Sequence, residues 1–409
     1  MKAVFLCLLL SIAILLQNDV FGQNAIGELR NQTNSKNITA TRLIETTESH
    51  RGSIYFEPKS PAEELALEKL EQTIKAKAKL YRFNGEVIIT YNNRILTQLS
   101  LGYANPITYD ALETGYRFQL ASVSKQFTAA AILELVAQGK LKLNTYFSLY
   151  FPEFKFKSVT IEHLLTHSAG LPDYFWYLEN TWKSDLGPTN KDVIPLMNRY
   201  VKKTEFRPGS RHAYSNTGYV LLALLVEKLT EMPFKDYIAK QYFKPLNMTK
   251  TGYLRDGMSL AGYKMGNNSK LYYQIQNSLS NAILGDKGIY TTAWDLNKWF
   301  VALKEGKVLS EDWVNRMFYP KGFERNTMSY GMGFKLEWSK FKLLKVYHNG
   351  LWEGFRNGIA YFPKKDLHII VLSHTSVKAK NIFEEQVHMA ALATIEKLPP
   401  VPSKSILRR

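Results

Sequence analysis

Strand-like sequence sits at both ends of this chain and helix-like sequence fills its middle, an order that few folds accept. After Asn84-Gly85 the residues Val87-Ile88-Ile89-Thr90-Tyr91 read as a strand, and Asn92-Asn93 reads as a hairpin turn into a second strand over 95–103. Strand patterning returns over 331–338, 341–348, 356–362 and 367–373, with Pro363-Lys364-Lys365-Asp366 turning between the last two. From 122 to 305 the pattern is mostly helical, including 122–138, closed by Gly139, and an apolar helix over 219–230. Aromatic clusters such as Tyr174-Phe175-Trp176-Tyr177 are read as loops between these helices. Ser60-Pro61-Ala62-Glu63 supplies a cap, a first-turn proline and a capping-box acid for an amphipathic helix over 61–81. A second terminal helix is read over 380–396. Both terminal helices need a partner for an apolar stripe, which predicts one shared sheet face beneath them. The expectation is one α+β domain, its sheet built from 85–120 and 330–374, interrupted by a helical subdomain over about 122–305.

The single cysteine, Cys7, lies in an apolar run over 3–16 that follows Lys2 and is too short to span a bilayer. With the small residue Gly22 it reads as a signal peptide over 1–22, so the protein is expected to be secreted or periplasmic; an uncleaved anchor is the competing reading. Removing that segment removes the cysteine, so the core and not disulfides must hold the fold. At 45% apolar over 409 residues there is ample material for a core. Residues 23–59 read as a poorly ordered polar lead-in, 60–396 as the domain and 397–409 as a tail. The 53 Lys+Arg against 36 Asp+Glu give a formal charge of +17, but they are scattered, so a solvated basic surface is expected and no nucleic-acid partner.

Most common catalytic signatures are absent. There is no Gly-x-Ser-x-Gly; Gly257-Met258-Ser259-Leu260-Ala261 lacks the second glycine. No His-Glu-x-x-His, Walker loop or dinucleotide loop occurs, and the eight histidines are dispersed. No metal and no cofactor are expected. Ser-x-x-Lys occurs twice. Ser339…Lys342 falls at a turn and strand, whereas Ser122…Lys125 opens a helix, where residues three apart share a face. A hydroxyl becomes nucleophilic when a nearby base takes its proton, and a partly desolvated lysine can do so. The bland alternative is a helix-capping serine with a solvated lysine. Tyr214-Ser215-Asn216 precedes the apolar helix, where a phenol could relay a proton and the Asn216 amide could hold a substrate carbonyl. His348-Asn349-Gly350 ends a strand, with the glycine expected to admit a substrate backbone. Tyr91-Asn92-Asn93 and His50-Arg51-Gly52 are decoys of the same patterns.

In this order and setting the three motifs resemble those of the serine β-lactamase and penicillin-binding-protein superfamily. The phrases Gln119-Leu120-Ala121-Ser122-Val123-Ser124-Lys125, Leu164-Leu165-Thr166-His167-Ser168-Ala169-Gly170-Leu171-Pro172, Tyr214-Ser215-Asn216-Thr217-Gly218-Tyr219 and Gly288-Ile289-Tyr290-Thr291-Thr292 are similar to its class C β-lactamase and D-alanyl carboxypeptidase branch, over about 62–395. The resemblance implies an α+β, three-layer α/β/α fold, with an antiparallel sheet flanked by the terminal helices and an all-helical subdomain beside it. It implies that Ser122 forms an acyl-enzyme while Lys125 and Tyr214 manage its proton. It also implies an oxyanion hole from the Ser122 and Leu351 N–H groups, with Asn216, His348, Asn349 and Gly350 binding substrate.

Two departures bear on substrate. His348 and Asn349 replace the Lys and Thr of Lys-Thr-Gly, and Leu351-Trp352-Glu353 brings a ring and an acid. His348→Lys would therefore be expected to favour carboxylate-bearing substrates. The reading is an exported serine hydrolase acting on a small-molecule or peptide substrate: a D-amino-acid peptide, a carboxylic ester or a β-lactam-like ring, with cell-wall material among the candidates. The alternative is a catalytically idle relative that binds peptidoglycan fragments or a protein.

Overall fold

The computed structural model describes residues 54–184, 187–254, 261–266, 271–276, 278–321, 328–339, 342–377 and 379–400. The proposed signal peptide at 1–22, its Cys7, nearly all of the lead-in and the end of the tail lie outside the described residues. In chain order, the helices used below are α1 (Pro61–Tyr81), α2 (Lys125–Ala137), α3 (Tyr174–Thr181), α4 (Asn216–Thr230), α5 (Ala293–Lys304) and α6 (Lys380–Ile395). The strands of the large sheet are β1 (Gly85–Tyr91), β2 (Arg94–Leu101), β3 (Met328–Tyr330), β4 (Lys335–Ser339), β5 (Lys342–Trp352), β6 (Phe355–Phe362) and β7 (Leu367–Ser373).

Local chemistry sets the first elements. Ser60 Oγ accepts the Glu63 N–H at 3.3 Å and Pro61 occupies the first turn of α1. Asn92 and Asn93 take φ of 49° and 60°, the left-handed pair that a tight hairpin between twisted strands requires. Long-range pairing then joins the two ends of the chain. The seven strands run in the order β3-β4-β5-β6-β7-β1-β2, antiparallel throughout, with Gly85 opposite Ser373 and Tyr91 opposite Leu367.

Because β1 and β7 are interior strands with a core on each side of the sheet, both of their faces are buried. On the back, Val87, Ile89, Leu367, Ile369 and Val371 pack with Leu70 and Ile74 of α1 and Phe383 and Val387 of α6. There the Phe83 and Phe383 rings stack 4.2 Å apart. On the front, Ile88, Ile370 and Leu372 join the core of the helical region, which includes most of α2 and α4. α5 closes this face: its Asn297 Oδ1 accepts from Thr90 Oγ1 at 2.8 Å and lies 2.6 Å from His368 Nε2. Period-two alternation sends neighbouring residues of one strand into two different cores.

Three elements differ from the sequence reading. The aromatic stretch read as a loop is helix α3, started by Asp173, whose carboxylate accepts the Phe175 N–H at 3.2 Å. The strand read over 331–338 begins only at Lys335, because Gly331-Met332-Gly333 turn the chain between β3 and β4. A Cβ at Gly331 would meet the Met317 carbonyl oxygen at 2.2 Å, and Gly333 turns at φ 82°. β5 extends to Trp352, beyond the expected 348. Among the described residues no helix is long and apolar enough to cross a membrane.

Candidate active site

Ser122 lies on a turn that the sheet presses into place. A short strand, Phe118–Gln119, pairs with Ile289–Thr291, and Asn357 Nδ2 of β6 donates to the Gln119 carbonyl at 2.6 Å. The chain then bends at Ala121, a buried non-glycine residue at φ 50°, before the 3-10 turn Ala121–Ser124 runs into α2. Such a left-handed alanine costs of order 1 kcal/mol and persists only where packing enforces it. Ser122 is half-buried while Ala121, Val123, Ser124 and Lys125 are buried, so its hydroxyl is what the turn presents. Neither this turn nor α2 has a side-chain cap, which removes the capping role for Ser122.

Lys125 is 0% exposed, and its amine meets three oxygens. They are Ser122 Oγ at 3.1 Å, Asn216 Oδ1 at 2.6 Å and the Asp286 carbonyl at 2.9 Å. Burial lowers its pKa to about 8, while the Asp286 and Asp173 carboxylates oppose that shift. Asn216 is the first residue of α4, not part of the preceding loop. Its Nδ2 donates to Asp173 Oδ2 at 2.6 Å, which turns its oxygen toward Lys125.

Tyr214 keeps 39% of its surface exposed, yet burial of its hydroxyl pushes the phenol well above its ordinary range, with hydrogen bonding to Ser122 pulling the other way. The Lys125 amine lies 5.1 Å from its ring centre, and the buried His167 ring packs against it, tilted by 34° with centres 4.1 Å apart. The structure thus brings Ser122, Lys125, Tyr214 and Asn216 together, from segments more than ninety residues apart in the case of Lys125 and Asn216.

β5 corrects the reading of its motif. His348 is 1% exposed with both ring nitrogens engaged. Nδ1 lies 2.8 Å from the Asn349 carbonyl, which can only accept, so Nδ1 carries the proton and Nε2 accepts from the Tyr330 hydroxyl at 3.1 Å. Burial, with Lys125 and Lys335 nearby, holds this imidazole neutral, its pKa well below the ordinary value. It has no free nitrogen for a substrate. Asn349 points the other way along the pleat, toward Glu384 of α6, so its side chain is not a substrate ligand. Gly350 is needed for the chain's own approach: a Cβ there would meet the Leu120 carbonyl oxygen at 2.1 Å. The Leu351 side chain is 60% exposed on the Asn349 face, leaving only its backbone for the site. The decoys stand apart. Ser339 and Lys342 are cross-strand partners in the β4–β5 hairpin, the Tyr91 hydroxyl donates to the Pro399 carbonyl at 3.0 Å, and His50 lies outside the described residues.

The sequence reading missed Asp286, Lys287, Tyr174 and Tyr330. One signal for the first two was legible: Gly285 and Gly288 bracket them, at φ 106° and 101°. A Cβ at Gly285 would meet the Tyr219 carbonyl oxygen at 2.6 Å, so this loop lies hard against α4. Among the described residues no group of three His, Cys, Asp or Glu could hold a metal ion.

The Beta-lactamase family model matches residues 70–393. Penicillin-binding protein 4* of Bacillus subtilis (strain 168) is 32% identical over 306 residues, covering 71% of this chain and 67% of that protein. The crystal structure of a penicillin binding protein from Bacillus halodurans superposes with a TM-score of 0.66 at 28% identity, covering 80% of this chain and 99% of that one. A D-amino acid amidase from Ochrobactrum anthropi SV3 shares the fold, with a TM-score of 0.68 at 20% identity, covering 80% of this chain and 99% of its own.

Proposed function

The chain belongs to the Beta-lactamase family, and from that premise we propose that it is a serine hydrolase that cleaves an amide or ester through an acyl-enzyme on Ser122. One observation carries this reading: the partners of the Lys125 amine. A neutral amine has two N–H bonds and one lone pair. Asn216 Oδ1 and the Asp286 carbonyl can only accept, so they take the two N–H bonds and the lone pair faces the Ser122 hydroxyl. Burial makes that neutral form accessible near pH 8.

In the proposed reaction Lys125 takes the Ser122 proton as Oγ attacks the carbonyl carbon. The Ser122 and Leu351 N–H groups receive the oxyanion, a pair whose individual loss typically costs ~100-fold or more. The contact of Gly350 with Leu120, and the end of β4–β5 pairing at Tyr347, support placing this stretch of β5 beside the turn. Tyr214, kept as a phenol, hands a proton to the leaving group, and the net transfer runs from Lys125 to that group. Water then resolves the ester by the reverse path. Asn216 retains a second N–H for a substrate carbonyl.

The candidate substrates are a D-amino-acid peptide, a carboxylic ester or a β-lactam-like ring. A neutral His348 gives β5 no cation for a substrate carboxylate, and Trp352, stacked 4.9 Å from Phe175 with its indole N–H on Asn281, narrows the end of the strand. Both features favour an ester, or a peptide without a carboxylate beside the scissile bond, over an anionic β-lactam. Export rests on the 1–22 segment. Incubation with a fluorophosphonate and with a fluorescent penicillin, followed by peptide mapping, should place a covalent label on Ser122. Retention of peptidoglycan fragments without any label would instead establish the idle binder.

A further inference from the structure

Beside the lysine that faces Ser122 lies a second buried one. Lys287 is 2% exposed, donates to the Tyr174 hydroxyl oxygen at 2.7 Å and pairs with Asp286 Oδ2 at 3.5 Å. Tyr174 in turn donates to the same carboxylate at 3.3 Å, so a closed triangle fixes Asp286. Its other oxygen, Oδ1, is buried without a hydrogen-bond partner among the described residues. The Lys287 amine lies beside the stacked Phe175 and Trp352 rings, 4.7 Å from the centre of the first and 4.9 Å from that of the second. Asp286 therefore acts at both ends, its backbone carbonyl on Lys125 and its side chain on Lys287. Apolar side chains in place of both Asp286 and Lys287 would fill the same space without the penalty of burying two charges. Packing alone does not call for a charged pair here.

We propose that Asp286 and Lys287, locked by Tyr174, are a positioning pair for the reaction at Ser122. The Asp286 carbonyl aims the Lys125 amine, and the Lys287 cation offsets the carboxylate that would otherwise hold a proton on that amine. This rests on the reading of Lys125 as the base. The other groups facing Lys125 do not supply the offset. Asp173 is negative and engaged by Asn216; Tyr214 and Tyr219 are phenols whose titration burial raises. His167 and His348 are held neutral by burial, and Lys335 on β4, lowered by burial and by Lys125, makes no ion pair with Asp286 among the described residues. Glu179 faces the Tyr174 corner of the triangle. Burial and the neighbouring Lys125 lower the Lys287 amine from its ordinary value, and the charge and contact of Asp286 oppose that shift and favour the cation.

The test reads Lys125 directly, by side-chain NMR titration of lysine-labelled protein with the Lys125 signal assigned through Lys125→Arg. Lys287→Met, similar in size, removes a repelling cation and exposes Lys125 to the full carboxylate, so its midpoint should rise by about one pH unit. Asp286→Asn keeps the backbone carbonyl and should lower the midpoint by about the same amount. Tyr174→Phe should raise it by roughly half as much, and it carries the test if Lys287→Met does not fold. The pH dependence of Ser122 labelling should move in parallel. Midpoints that stay fixed, or that move in the same direction in the lysine and aspartate variants, overturn the pair even where Ser122 still labels. A wild-type protein that labels at no pH instead defeats the hydrolase reading, while the NMR midpoints still judge the pair.

Discussion

On the back of the sheet Val87, Ile89, Ile369 and Val371 meet the apolar stripes of α1 and α6, whereas on the front the apolar Ile88 and Ile370 alternate with buried polar groups on the same strands. Thr90 and His368 share Asn297, and the buried Glu86 carboxyl is pushed up to about 7 by desolvation although it accepts the Gly115 N–H at 2.7 Å. Farther forward lie the buried Lys125, Asp286, Lys287 and His348. Apolar burial is non-directional and adds up by area, whereas a buried polar group depends on specific partners. Changes on the back should therefore act on stability alone, whereas changes on the front can also act on the chemistry.

Ser122→Ala should separate the two faces most sharply. Labelling should vanish and turnover fall by at least ~10⁴-fold, with melting almost unchanged because Ser122 caps nothing. Lys125→Ala should match it, and the double variant should be no slower than either single one. Equal ester turnover by wild type and Ser122→Ala would end the mechanism.

His348→Lys tests a front-face position by stability. The sequence suggested a gain for carboxylate substrates. With the imidazole buried, bonded at both nitrogens and close to Lys125, the expected outcome is instead a loss of about 3–5 kcal/mol in denaturant unfolding and no such gain. Ile89→Ala tests the back. It should cost about 3 kcal/mol while leaving the labelling rate of folded protein as it was; a large rate change there would undo the division between faces.

Tyr214→Phe retains the ring on His167 and removes the hydroxyl, so steady-state turnover should fall on the order of 10–100-fold with little change in melting. The smallest effect is in pH. Lys125 must be neutral to accept a proton, and its pKa is lowered to about 8, so Ser122 labelling should climb about tenfold from pH 7 to 9 and then level. A flat profile through that interval would remove Lys125 as the base.

Wherever neighbours in sequence suffice, the chain determined its own structure. Ser60-Pro61 started α1, the Asn92-Asn93 pair turned β1 into β2, and Ser-x-x-Lys at a helix start put hydroxyl and amine on one face. Tertiary structure decided what each side chain meets. Period-two alternation was legible, but not that it would send Asn349 to α6 and bury His348 on Tyr330. Gly350 was legible as a close approach, but not that Leu120 is what approaches. The Tyr174–Asp286–Lys287 triangle joins helix α3 to a loop more than a hundred residues away. Caps, turns and periods arise from interactions within a few residues, so they can be read along the chain. The partners of a buried charge are set by where the whole core closes, and only the closed core shows them.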